Sequence, residues 1–201
     1  MKDDIFGIEI YEEGALGAEV FYADISKIDI DNAKKCVSEY RLKKVEALKK
    51  SDDKRRSLGA ELLLMYALKK RGIIHPIEFE TDNYGKPYLK NCDKIKFNLS
   101  HSGDVAVCAV STKAIGVDIE KSNRISEQIA DRYFSAEEKK QPFAYIWTRK
   151  EALAKASGIG ITIGFDKFAV IDDEVELQGE SYLLKSITPQ ISGYCLALCV
   201  K

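Results

Sequence analysis

The sequence is poor in histidine, has no paired cysteines, and lacks both an excess of one charge and a long apolar run. Histidine occurs twice in 201 residues. The five cysteines, Cys36, Cys92, Cys108, Cys195 and Cys199, are an odd, scattered set without a C-x-x-C pair, which argues for reduced, buried thiols and against a structural zinc. Lysine and arginine number 31 against 32 aspartate and glutamate, a formal net charge of −1, so bulk electrostatic binding to nucleic acid or an anionic membrane is not expected. No apolar stretch is long enough to cross a bilayer and the first residues lack a signal-peptide core, so the expected compartment is the cytoplasm. No low-complexity linker interrupts the chain. What is present is 45% hydrophobic residues, enough to build one ordinary domain or two small halves sharing an interface.

One stretch organises the rest, Ile115-Gly116-Val117-Asp118-Ile119-Glu120-Lys121. On a strand, Ile115, Val117 and Ile119 point to one face while Gly116, Asp118 and Glu120 point to the other. Two carboxylates on one strand face repel, so a positive group is expected between them. With no histidine or cysteine nearby, oxygen-only ligation suits a hard cation such as Mg²⁺, which binds through one or two carboxylates plus substrate phosphates. A solvated strand face explains the same pattern.

Around this stretch the periodicities predict an α+β chain. Ile5 to Tyr11 and Val20 to Ile25 alternate as a hairpin, with Glu12-Glu13-Gly14 and Gly17 as turn material. Residues 31–50 read as one helix with Arg41 and Lys44 on its basic face. A second helix follows, capped by Ser51-Asp52-Asp53 and stopped by Gly72. Its first turn carries Lys54, Arg55 and Arg56, where either a bound anion or Asp52 and Asp53 would neutralise the charge. Asp82 to Pro87 is a turn bearing Lys86. Ser100-His101-Ser102-Gly103 reads as a tight connection between strands Ile95–Ser100 and Val105–Ser111, with donors suited to an oxyanion or phosphate. A helix over 126–134 precedes a capping box at Ser135 to Glu138. Ala144 to Ser157 is strongly helical, with Trp147, Glu151 and Lys155 on one line. Glu151 and Lys155 are spaced for a surface ion pair. Four short strands, beginning with Phe168–Ile171, end the chain as an antiparallel meander packed on that helix.

Five segments, Tyr84-Gly85-Lys86-Pro87, Phe97 to Ser102, Ile115 to Glu120, Phe134 to Glu138 and Trp147 to Lys155, together resemble the 4′-phosphopantetheinyl transferases of the Sfp-type branch. The resemblance implies two similar α+β halves in a pseudo-twofold arrangement, a cleft between them that binds coenzyme A, and a monomer. The expected division is 1–112, holding the nucleotide end of coenzyme A, and 113–201, holding the metal carboxylates and the catalytic helix. By resemblance, Asp118, Glu120 and Glu151 hold Mg²⁺, for which Mn²⁺ can substitute. Lys155 touches a phosphate, Tyr84, Gly85, Lys86 and Pro87 pass the adenine, Ser100 and His101 contact phosphates, and Arg41, Lys44 and Arg56 reach toward the nucleotide. Glu151, Lys155 and His101 form the expected catalytic set, Glu151 as base for the attacking serine. Two departures stand out: Ile119 is apolar where some members have a further acidic residue, and the stretch from Glu138 to Trp147 is shorter than in the longer members.

The implied reaction moves phosphopantetheine from coenzyme A to a serine of an apo acyl or peptidyl carrier protein. The carrier is expected to dock near 121–145, where Lys121, Arg124, Arg132, Lys139 and Lys140 alternate with Ile125, Ile129, Tyr133 and Phe134. Two other readings are a metal-dependent nuclease or phosphodiesterase, against which the charge balance argues, and a non-catalytic coenzyme A or carrier-binding protein.

Overall fold

A computed structural model describes residues 4–5, 8–74, 77–82, 85–90 and 92–201. The fold is mixed α+β, as expected. Strand β1 (Asp4–Ile5) lies beside β2 (Ile8–Ala15), which turns back into β3 (Ala18–Asp24). The expected hairpin forms, but its turn is Leu16-Gly17, with φ of 54° and 73°, and Glu12 to Gly14 belong to the strand. Two left-handed residues in succession match the right-handed twist of the flanking strands, a geometry that Gly17 permits and that Leu16 hides from a reading based on turn residues.

The single helix expected over 31–50 is two. Helix α1 (Ile30–Lys34) is capped by Asp29, whose carboxylate accepts from Asn32 N. Helix α2 (Glu39–Glu46) is capped by the Ser38 hydroxyl, which accepts from Arg41 N, while Ser38 N donates to the buried Glu61 carboxylate at 2.7 Å. That tether turns the chain at Ser38 and breaks the helical run. Helix α3 (Ser51–Lys70) starts without a side-chain cap, Ser51 being its first residue, and ends before Gly72 at φ 77°. A short hairpin of β4 (Phe79–Thr81) and β5 (Pro87–Leu89) follows, then β6 (Lys96–Ser102) and β7 (Val105–Ser111). These complete an antiparallel sheet of order β1-β2-β3-β7-β6, on which α3 lays Leu58, Leu63, Leu64 and Leu68.

Strand β8 (Ile115–Lys121) opens a second sheet, of order β8-β11-β10-β9, built from β9 (Glu174–Leu177), β10 (Glu180–Ile187) and β11 (Tyr194–Val200). Between β8 and β9 run α4 (Glu127–Tyr133) and α5 (Phe143–Ser157), the latter ended by Gly158 at φ 76°. The Ser135–Glu138 capping box forms, with Ser135 N donating to Glu138 Oε2 and Glu138 N to Ser135 Oγ. It opens only one 3₁₀ turn, Glu138–Lys140. Phe168–Ile171 is not a strand. Its main chain bonds to side chains instead: Val170 N donates to Glu138, Val170 O accepts from Arg149, and Phe168 O accepts from Lys150. The other three terminal strands form the expected meander over α5.

Ile115, Val117 and Ile119 are buried with Val20, Tyr22, Val107, Leu196 and Leu198 in a layer that joins the two sheets. The apolar face of β8 therefore meets the first sheet, and its other face meets α5. All five cysteines are free, but only Cys108 and Cys199 are buried, and Cys36 is exposed. No helix among the described residues is long and apolar enough to cross a membrane.

Candidate active site

Glycine at 116 brings helix and strand together: a Cβ there would lie 2.0 Å from Ala152 O and 2.5 Å from Ala156 N. This approach sets Lys155 over the next outward residue of β8. Its ammonium donates to Asp118 Oδ1 at 2.6 Å, to Ser100 Oγ at 3.1 Å and to Val117 O at 3.2 Å. The ion pair expected between Glu151 and Lys155 is thus replaced by one between Lys155 and Asp118, because α5 presents this line of residues to β8 rather than to solvent.

Among the described residues β8 pairs with β11 along one edge only. Its other edge faces β6, and side chains serve it there. Val117 N donates to Asn98 Oδ1 at 2.9 Å, Ser100 Oγ donates to Asp118 Oδ1 at 2.7 Å, and Ser102 Oγ donates to Glu120 Oε2 at 2.7 Å. Glu120 also pairs with Arg124. Asn98 was not singled out by the sequence reading, and Ser102 was read there as part of a tight connection. Their signal was the period of two in Asn98, Ser100 and Ser102, which places all three on one face of a strand. That signal was obscured by reading the strand as ending at Ser100. His101 and Ser102 lie within β6, and the turn is Gly103-Asp104, with Gly103 at φ 55°.

A cavity of about 340 Å³ lies beside these groups, lined by Arg41, Lys44, Lys86, Pro87, Ser100, His101 and Lys155 among others. Seven of the predicted residues therefore meet in one place. Arg41 is steadied there by Glu61 at 2.8 Å and by the Ser57 hydroxyl at 3.2 Å, and Lys44 stands 4.4 Å over the Tyr40 ring. Burial pulls His101 below its ordinary 6.5, its own backbone contact partly opposing this and the cations Arg56, Lys155 and Arg41 adding to it. Cations gathered around this imidazole suit an anionic ligand. Gly85 and Arg56 do not line the cavity. Arg56 donates to Gly103 O and pairs with Asp53 at 2.5 Å, and Arg55 pairs with Asp52, so the aspartates neutralise the first turn of α3. Tyr84 lies outside the described residues.

Among the described residues no group of three or more His, Cys, Asp or Glu side chains stands ready-made around a metal position. Asp118 Oδ1 is instead held by Lys155 and the Ser100 hydroxyl, and Glu120 by Arg124 and the Ser102 hydroxyl. The donor set still fits a hard divalent cation: Asp118 is 5% exposed and its Oδ2 is buried with no hydrogen-bond partner. Burial also raises the Glu151 carboxyl above its ordinary value, Lys155 and Arg124 opposing and Asp118 reinforcing the rise. Glu151 thus shares the electrostatic environment of Asp118.

A family model described as "4'-phosphopantetheinyl transferase superfamily" matches residues 114–199, and one described as "4'-phosphopantetheinyl transferase, N-terminal" matches residues 25–113. The chain is 34% identical over 174 residues to the 4′-phosphopantetheinyl transferase psf-1 of Bacillus pumilus, covering 75% of this chain and 73% of that protein. It is 31% identical over 179 residues to the 4′-phosphopantetheinyl transferase Sfp of Bacillus subtilis (strain 168), covering 83% and 75%. A further 4′-phosphopantetheinyl transferase of Bacillus subtilis is 35% identical over 153 residues, covering 70% and 68%. With both matched segments meeting at the joint that carries Asp118, Lys155 and the cationic cavity, the chain belongs to the 4′-phosphopantetheinyl transferases, Sfp type, and is a transferase.

Proposed function

We propose that this enzyme transfers 4′-phosphopantetheine from coenzyme A to a serine hydroxyl of an apo acyl or peptidyl carrier protein, releasing adenosine 3′,5′-bisphosphate. The observation that carries this reading is the junction of Lys155 on α5, Asp118 on β8 and Ser100 on β6, opening onto a cavity lined by Arg41, Lys44 and His101. A diphosphate flanked by a nucleotide needs such a set of cations and hydroxyls.

Residues 1–112 form the half that receives the nucleotide end, with Arg41, Lys44 and His101 facing its phosphates and Gly85 and Pro87 toward the adenine. Residues 113–201 form the other half of a pseudo-twofold pair, with the cleft between them. Asp118, Glu120 and Glu151 would hold Mg²⁺, or Mn²⁺ in its place; when bound it neutralises charge on the diphosphate oxygens. Lys155 supplies a second positive charge to a nonbridging or leaving oxygen. Glu151 takes the proton of the carrier serine as its oxygen bonds to phosphorus. The bond from phosphorus to the bisphosphate leaving group then breaks. The chain acts as a monomer in the cytoplasm, and the carrier docks on the 121–145 face. Ile125, 78% exposed, stands in that segment next to Arg124.

The test is the intact mass of an apo carrier protein incubated with the purified protein, coenzyme A and Mg²⁺. One added phosphopantetheine per carrier is the expected result. No mass gain on any of a panel of acyl and peptidyl carriers would refute it.

A further inference from the structure

The free edge of β8 has backbone groups that must find partners once buried between the sheets. Asn98 and Lys155 take those of Val117. Lys86 takes the next one and does more. Its ammonium donates to Ile115 O at 3.2 Å and to Lys155 O at 2.7 Å, so one group from the β4–β5 hairpin touches both β8 and α5.

Lys155 O belongs to the last turn of α5, whose carbonyls have no partner within the helix. One neighbour, Ala154 O, accepts from the Ser157 hydroxyl at 2.9 Å. Lys86 serves Lys155 O with a cation, the charge that a helix C-terminus favours. An ammonium has three donors, and two are committed here to main chain of the other half. Burial drives the Lys86 amino group down to about 8; Lys155 and Lys96 add to the fall while Asp82 and Cys199 resist it. Both ends of Lys155 are thereby held: its carbonyl by Lys86 and its ammonium by Asp118, Ser100 and Val117.

We propose that Lys86 acts through its ammonium as a positioning residue: it seats the last turn of α5 on the head of β8 and so keeps the Lys155 ammonium at Asp118. The role rests on the transferase reading above, and it departs from the expectation that Lys86 lies along the adenine. A nucleotide contact would act on coenzyme A binding, whereas a residue that places Lys155 acts on the chemical step.

The test compares wild type, Lys86→Met and Lys86→Gln on one apo carrier, and measures acetylation of Lys155 by acetic anhydride relative to the exposed Lys43 by peptide mass spectrometry without substrate. For Lys86→Met the expected result is kcat lower by about tenfold or more, KM for coenzyme A within about twofold of wild type, and relative labelling of Lys155 raised about threefold. Lys86→Gln keeps N–H donors without the charge, and its values are expected to fall between the other two. If Lys86→Met does not fold, Lys86→Gln decides by the same readouts. A raised KM with kcat kept, or Lys155 labelling unchanged in the folded variants, overturns the proposal. Failure of wild type to modify any carrier sinks the transferase reading instead, and the labelling ratio still decides the role of Lys86.

Discussion

Replacing Gly116 by alanine puts a methyl group where main chain already stands. The Cβ would lie 2.0 Å from Ala152 O, 2.5 Å from Ala156 N and 3.0 Å from Lys155 C. Since nonbonded heavy atoms rest at about 3.5 Å, α5 has to withdraw from β8 by more than roughly 1 Å. No flexible side-chain tip can absorb that shift, because each obstacle is backbone of residues 152–156 in α5. Overpacking costs about 1–3 kcal/mol, and backbone obstacles put this site at the upper end. For a chain of this length about 3 kcal/mol lowers Tm by roughly 6–12 °C. The same shift acts on the Lys155–Asp118 contact of 2.6 Å, and misplacing reacting groups by about 1 Å costs on the order of 10²-fold in rate. Thermal unfolding and the rate of holo-carrier formation would be measured for Gly116→Ala, with Gly14→Ala as control, since a Cβ at Gly14 meets nothing within 4 Å. A Gly116→Ala variant with Tm within about 1 °C and rate within about twofold of wild type would refute the packing account.

Transfer is expected to stop in EDTA and to return with Mg²⁺ or Mn²⁺, and Asp118→Ala should stay folded while losing activity; full transfer by EDTA-treated protein would count against the carboxylate site. Glu151→Gln should lose about 10²–10⁴-fold in kcat, and full recovery in excess Mg²⁺ would show that Glu151 is chiefly a ligand and not the base. Burial disfavours the charged form of Glu151 in the folded chain, so the folded state holds the extra proton and metal-free wild type loses stability as pH rises from the ordinary 4.5 through the raised folded value. Glu151→Gln removes that loss, and its Tm in EDTA should exceed that of wild type at neutral pH by a margin that closes below the ordinary value. Glu138 and Lys150, both fully buried, pair at 3.0 Å, so Glu138→Ala should destabilise by about 3–5 kcal/mol through the uncompensated ammonium; a Tm close to wild type would mean that the pair is solvated.

Much of the site was legible because strand alternation is a local rule. The pattern of Ile115 to Glu120 assigned Ile119 to the core and Asp118 and Glu120 to the opposite face, and Ile119 is 1% exposed. The helix bearing Glu151 and Lys155 and its stop at Gly158 were equally local, set by periodicity and by a glycine free to take positive φ. Partner choice was not local. Glu151 and Lys155 have the spacing of an ion pair, yet the bare Gly116 lets α5 come close enough for Lys155 to take Asp118 instead. Residues 31–50 have a helical pattern, but Glu61, twenty-three residues along the chain, captures Ser38 N and breaks it. Lys86 was legible only as a turn residue, and packing set its ammonium against one carbonyl of β8 and one of α5. Sequence by itself determined which groups each element offers and on which face; the tertiary structure decided which of them meet, because hydrogen bonds and ion pairs go to whatever partner packing brings within about 3 Å.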